Sequence, residues 1–123
     1  MEGKFHYKLK IKIHEFISLV YDLVKKFPKD ERFGIISQLT RAVISIMLNY
    51  VEGYARRRDK VKLNFYEISY GSSQECKYIL FFAVSRKWIT KFEYDKTIEM
   101  IEEISRMLWS TIDNLEKKIG LEK

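Results

Sequence analysis

The residues of this chain that catalysis or metal binding would recruit are few and badly placed for it. His6 and His14 stand eight apart, with no cysteine near either. His14-Glu15 lacks the second histidine that a zinc-protease helix carries one turn further on. Cys76 is the sole thiol, and no histidine can be assigned as its base. No glycine-rich phosphate loop occurs. The expectation is a chain with no catalytic residue, no metal site and no cofactor. Two other groupings have a spacing worth following. Arg41, Ser45, Asn49, Glu52 and Arg56 recur at steps of 4, 4, 3 and 4, which a helix places on one side. Arg56-Arg57-Arg58-Asp59-Lys60, with Lys62 just beyond, concentrates positive charge in one short stretch.

The elements that must position these groups follow from composition and periodicity. The chain has 123 residues, enough for one domain (1–123) with its own core. One proline and five glycines are too few to punctuate a β-rich domain of this size. Apolar residues at 46% and charged residues at 33% exclude a wholly disordered chain. No apolar run is long enough to suggest a membrane span. A single cysteine cannot form an intrachain disulfide, and the start of the chain does not read as a signal peptide. Both point to a cytoplasmic protein.

Leu9, Ile13, Phe16, Val20, Leu23 and Phe27 alternate steps of four and three, the seam of a bundle helix that Pro28 brings to an end. Asp30 is placed to cap a second helix over residues 31–57. Its seam is Ile36, Leu39, Val43, Ile46/Met47, Tyr50 and Tyr54, with a second apolar stripe at Ile44, Leu48, Val51 and Ala55. Asp59 is placed to cap a third helix over residues 60–86. Its seam is Val61, Phe65, Ile68, Ser72, Ile79 and Phe82/Ala83, and Leu63, Tyr66, Tyr70, Phe81 and Val84 form a second stripe. Thr90-Lys91-Phe92-Glu93 is a capping box. It opens a fourth helix with a seam from Tyr94 to Ile119, and Gly120 suits its end. The connections are short, so the fold expected is all-α: an up-down-up-down antiparallel four-helix bundle. A lone bundle needs one seam per helix, so the second stripes predict a homo-oligomer.

That topology brings the start of helix 1, the helix 2–3 turn and the end of helix 4 to one end. Residues 1–12, 52–62 and 116–123 hold twelve bases and five acids, a net of +7 against +6 for the whole chain. Two readings of this end stay open: a solvated helix end, or a surface for a polyanion. On the second, Arg56, Arg57, Arg58, Lys60 and Lys62 would contact phosphates, with Lys8, Lys10 and Lys12 behind them. Helices joined near residue 58 also pair positions whose numbers sum to about 117. Arg41 then falls level with Glu75, and Ser45 with Ser72. Arg41, Ser45, Asn49, Glu52, Ser72 and Glu75 are therefore expected to form a structural polar network with a buried Arg41–Glu75 pair. Gly53 and Gly71 are expected to permit close helix packing, while Trp88, Trp109 and the tyrosines read as core or interface ahead of base-stacking groups.

Several of these stretches resemble a known family. They are Phe27-Pro-Lys-Asp-Glu-Arg-Phe-Gly34, Ser37-Gln-Leu-Thr-Arg-Ala42 and Ser45-Ile-Met-Leu-Asn49-Tyr-Val-Glu52-Gly53. Arg56, Phe65 and Ser69-Tyr-Gly71-Ser72-Ser-Gln-Glu75 continue the pattern. Together they are similar to the four-helix-bundle proteins encoded by intervening sequences of bacterial 23S rRNA genes, over about residues 5–118. Accessory variability proteins of diversity-generating retroelements share that fold. The resemblance implies a left-handed antiparallel bundle assembled as a ring, with a homopentamer favoured. It implies no established activity. Two expectations follow: a non-enzymatic protein that binds RNA or rRNA through its basic end, or a scaffold that docks a partner protein such as a reverse transcriptase.

Overall fold

A computed structural model describes residues 3–121 of the chain. Four long helices make an all-α bundle: α1 (Lys4–Leu23), α2 (Ile35–Ala55), α3 (Asp59–Ser85) and α4 (Lys91–Leu121). No helix among the described residues is long and apolar enough to cross a membrane.

The α1 seam is as expected, with Leu9, Ile13, Phe16 and Val20 wholly buried. The helix tightens into a 3-10 turn at Val24–Lys26. Phe27 then turns extended at φ −73°, ψ 153°, because the ring of a following proline clashes with a helical predecessor. Its ring packs on Trp88 at 5.2 Å between centroids.

α2 starts later than the sequence suggests. Pro28 opens a second 3-10 turn over Lys29–Glu31, and Asp30 caps nothing. Glu31 supplies the cap instead, its carboxylate accepting the Ile35 N–H at 3.3 Å. Gly34 makes room for this, since a Cβ there would lie 2.8 Å from the same oxygen. Asp59 is likewise no cap. It is the first residue of α3, and its carboxylate pairs with Lys118 at 3.2 Å.

The core face of α3 is rotated from the apolar seam read above. Its buried residues are Tyr66, Ser69, Ser72, Ser73, Cys76, Ile79, Leu80 and Ala83, while Val61 and Ile68 are exposed. Small residues dominate this face because α3 packs closely against both α2 and α4. Each of the three serines has a hydroxyl partner, Ser69 and Ser72 across on α2 and Ser73 within α3, so burying them carries no unpaired polar group. Lys87 ends the helix in the left-handed region at φ 63°, and the Trp88 N–H reaches back to the Ala83 carbonyl.

The capping box at α4 forms as expected. Glu93 N–H donates to Thr90 Oγ1 at 3.1 Å, and Thr90 N–H donates to Glu93 Oε1 at 2.9 Å. The stop expected at Gly120 is not taken, and the helix runs on to Leu121.

Candidate nucleic-acid interface and polar seam

Three contacts place the chain segments of the basic end. His6, near the start of α1, reaches the last turns of α2: its Nδ1 lies 2.7 Å from the Tyr50 hydroxyl, and its ring stacks on Tyr54 at 3.4 Å. Lys118, near the end of α4, pairs with Asp59 at the start of α3. Phe5, Lys62 and Lys118 line one shared hollow. The opposite ends of the helices meet at the Lys26–Glu93 ion pair and the Phe27–Trp88 contact.

At the α2–α3 turn the backbone leaves the helix at Arg56, extended at φ −78°, ψ 153°, and re-enters after Arg58. α2 thus ends with carbonyls that need donors. Lys62 supplies them, its Nζ donating to the Tyr54 carbonyl at 2.9 Å and the Gly53 carbonyl at 3.3 Å. Arg56 pairs with Glu52 one turn back, and its guanidinium lies over the Phe65 ring at 5.2 Å. Arg57, Arg58 and Lys60 are exposed. Among the described residues, no ion pair or side-chain hydrogen bond engages these three. They sit at the positive end of the α3 dipole, where a cluster of like charge is unfavourable and an anion would be stabilising.

Of the three supporting lysines, Lys12 is ion-paired. It is eight residues beyond Lys4, about 12 Å along the axis, and pairs with Glu103 of α4 at 2.8 Å. That lysine, with Lys8 and Arg106 adding their fields, holds the Glu103 carboxyl below its ordinary value. Lys8 is exposed and Lys10 is half-buried. Of the residues counted toward the charged end, Glu2, Glu122 and Lys123 lie outside those described.

The polar network is present in part. Ser45 and Ser72 share a hydrogen bond of 2.7 Å between hydroxyls, and Asn49 Nδ2 donates to both Ser45 O and Ser45 Oγ at 2.9 Å. The expected pairing register therefore holds at this level. Arg41 and Glu75 depart from it. Both are exposed, and no ion pair joins them. The two serines draw α2 and α3 close together at the neighbouring level. Long charged chains there gain more from water than from a desolvated pair. Glu52 takes no part in the seam beyond its pairing with Arg56.

The sequence reading missed the rest of the seam. Ser69 donates to the Ile46 carbonyl at 2.7 Å, and Ser73 to the Tyr70 carbonyl at 2.6 Å. Ser105 of α4 in turn donates to Ser73 at 2.9 Å. The signal was available: Ser69, Ser73, Cys76, Leu80 and Ala83 repeat at 4, 3, 4 and 3, but as a row of mostly small residues. The glycines also divide. A Cβ on Gly53 would meet Tyr66 ring carbons at 2.8 and 2.9 Å, whereas nothing lies within 4 Å of one on Gly71. Only Gly53 serves close packing.

Burial pushes the Cys76 thiol up to about 12, with the Glu75 carboxylate adding to it. Burial does the same to the Tyr66 phenol. Among the described residues, no group of three or more His, Cys, Asp or Glu side chains could hold a metal ion.

The fold and the seam define the class of protein: a helical bundle with a hydroxyl-lined α2–α3 contact and a basic turn beside it. The model of one family, the 23S rRNA-intervening sequence proteins, matches residues 7–110, and the chain belongs to that family. Among solved structures, a protein of unknown function from the S23 ribosomal protein family of Bacteroides thetaiotaomicron is 25% identical, with a TM-score of 0.78. The match covers 85% of this chain and 97% of that one. No curated protein matches.

Proposed function

We propose that this chain is a non-enzymatic protein of the cytoplasm that binds nucleic acid, RNA foremost, through the end formed by the α2–α3 turn. The observation that carries the reading is the set of unengaged cations at that turn, Arg57, Arg58 and Lys60, beside Arg56 and within reach of the ends of α1 and α4. The end-to-end contacts support an up-down-up-down antiparallel arrangement, which is what gathers these segments. Such a surface contacts phosphates and carries little sequence preference. The family's description, tied to intervening sequences of 23S rRNA, favours RNA over DNA.

We further infer self-assembly into a ring-shaped homo-oligomer, a pentamer by the family resemblance. The outward stripe of α2 supports it: Leu48 is 62% and Val51 44% exposed, with Ala55 open beside them. The same stripe favours a second reading, a scaffold docking a partner protein such as a reverse transcriptase.

Titration with RNA and DNA over a range of salt tests the main reading. Log affinity should fall linearly with log salt. Replacing Arg56, Arg57 and Arg58 with Ala should weaken binding to all sequences alike and reduce the slope by about 2–3. No binding at physiological salt, or binding the triple substitution leaves unchanged, would refute it and favour the scaffold.

A further inference from the structure

Resting on that reading and extending it, we propose that the groove between α3 and α4 is a stacking subsite for an unpaired base of a single-stranded nucleic acid. Tyr70 of α3 and Trp109 of α4 meet across this groove with centroids 5.4 Å apart and planes tilted by 51°. The rings are splayed and not stacked, and Trp109 is 55% exposed. The other tryptophan, Trp88, shows what this residue type ordinarily does: it is half-buried against Phe27 and Phe82.

The groove is open to solvent, has a volume of about 590 Å³ and is flanked by Lys77 and Arg106. Neither side chain is in an ion pair among the described residues. Of its two carboxylates, Asp113 is already held by Lys117 at 3.0 Å, which leaves Glu102. Cations outside any ion pair, beside an exposed aromatic face, match a nucleotide, whose base stacks while its phosphate finds the charge. They match an apolar peptide poorly. Ser110 lines both this groove and the hollow shared by Lys62 and Lys118, so the two adjoin at α4. Trp109 lies nine residues before Lys118, about 13 Å along α4 and half a turn round it. A single strand bound by phosphates at the turn spans that distance within a few nucleotides and lays a base on Trp109. A duplex cannot, because its bases are already stacked on one another.

Tryptophan emission tests this, since Trp88→Phe leaves Trp109 as the one tryptophan of the chain. In that background, an oligouridylate of about ten nucleotides should quench the emission to saturation, while a duplex of equal length binds without quenching. Trp109→Ala should weaken single-strand affinity roughly 5- to 150-fold and leave duplex affinity unchanged. Trp109→Phe, which keeps an aromatic face, should retain most of the affinity. Circular dichroism checks that each variant is folded. Absence of quenching at saturating oligouridylate, or an unchanged affinity in Trp109→Ala, overturns the subsite. A Trp109 emission that shifts with protein concentration alone also overturns it, because the groove is then a contact between copies. The basic-end reading falls separately, if replacing Arg56, Arg57 and Arg58 leaves the binding of both probes untouched.

Discussion

Replacing each of the two mid-helix glycines with alanine separates what the bundle geometry demands from what helix propensity prefers. In an open helix, glycine is about 1 kcal/mol less favourable than alanine. Gly71→Ala adds a methyl group where nothing lies within 4 Å, so it should stabilise by about 0.5–1 kcal/mol. Gly53→Ala gains the same propensity but drives its Cβ to 2.8 and 2.9 Å from the Tyr66 ring and 3.1 Å from Phe65 Cβ. The Tyr66 ring is buried and packs against Tyr50 at 5.5 Å, so it can yield only by giving up that packing, and Phe65 Cβ can move only with the α3 backbone. Overpacking of this kind costs about 1–3 kcal/mol. The propensity gain is common to both variants and cancels in their comparison, so Gly71→Ala should exceed Gly53→Ala in stability by about 1–3 kcal/mol. Urea denaturation of both variants at one protein concentration measures the difference directly, and the fixed concentration removes any contribution from assembly. Equal midpoints with equal slopes would refute the close approach of α2 to α3 at Gly53.

Lys26 and the Thr90 backbone hold the Glu93 carboxyl below its ordinary value of 4.5. Its stabilisation is therefore complete above the unfolded value and is lost as pH falls through the folded one. Glu93→Gln keeps the capping box but not the charge, so it should be less stable than wild type at neutral pH and converge with it in strong acid. A gap that persists unchanged into strong acid would contradict this. Arg41→Ala should move stability by less than about 0.5 kcal/mol, because its side chain is exposed and outside the seam. A loss of several kcal/mol in thermal unfolding would restore the buried pair. Lys87→Gly relieves a left-handed residue that carries a Cβ and should raise stability by about 1 kcal/mol. An unchanged melting temperature would count against that strain. Cys76, buried and with its thiol pushed up to about 12, should resist thiol reagents at mildly alkaline pH until the protein unfolds. Rapid labelling of the native protein would show the site to be open.

Much of the architecture was legible in local order along the chain. The steps of four and three in α1, Pro28 after Phe27, and Thr90 three residues before Glu93 each act within a turn or two of the residues that carry them. Local sequence therefore suffices to place them. The pairing register of α2 and α3 was legible too, because a short turn leaves little freedom in how two helices run back along each other, and Ser45 does meet Ser72. What the sequence left open was settled by competition between helices. The face α3 turns inward is decided by how near its neighbours come, so Ser69, Ser73 and Cys76 are buried while Ile68 is exposed. Arg41 and Glu75 share a level but not a contact, since water solvates them better than the narrow seam beside them would. The basic residues divide in the same way. Lys62 is drawn to the carbonyls that end α2, and Lys12 to Glu103 of α4. Among the described residues, Arg57, Arg58 and Lys60 remain outside any ion pair or side-chain hydrogen bond, and the carboxylate in their midst, Asp59, is taken by Lys118. Periodicity encodes which residues lie on one face of a helix, but packing distance and rival partners elsewhere in the chain decide what that face does.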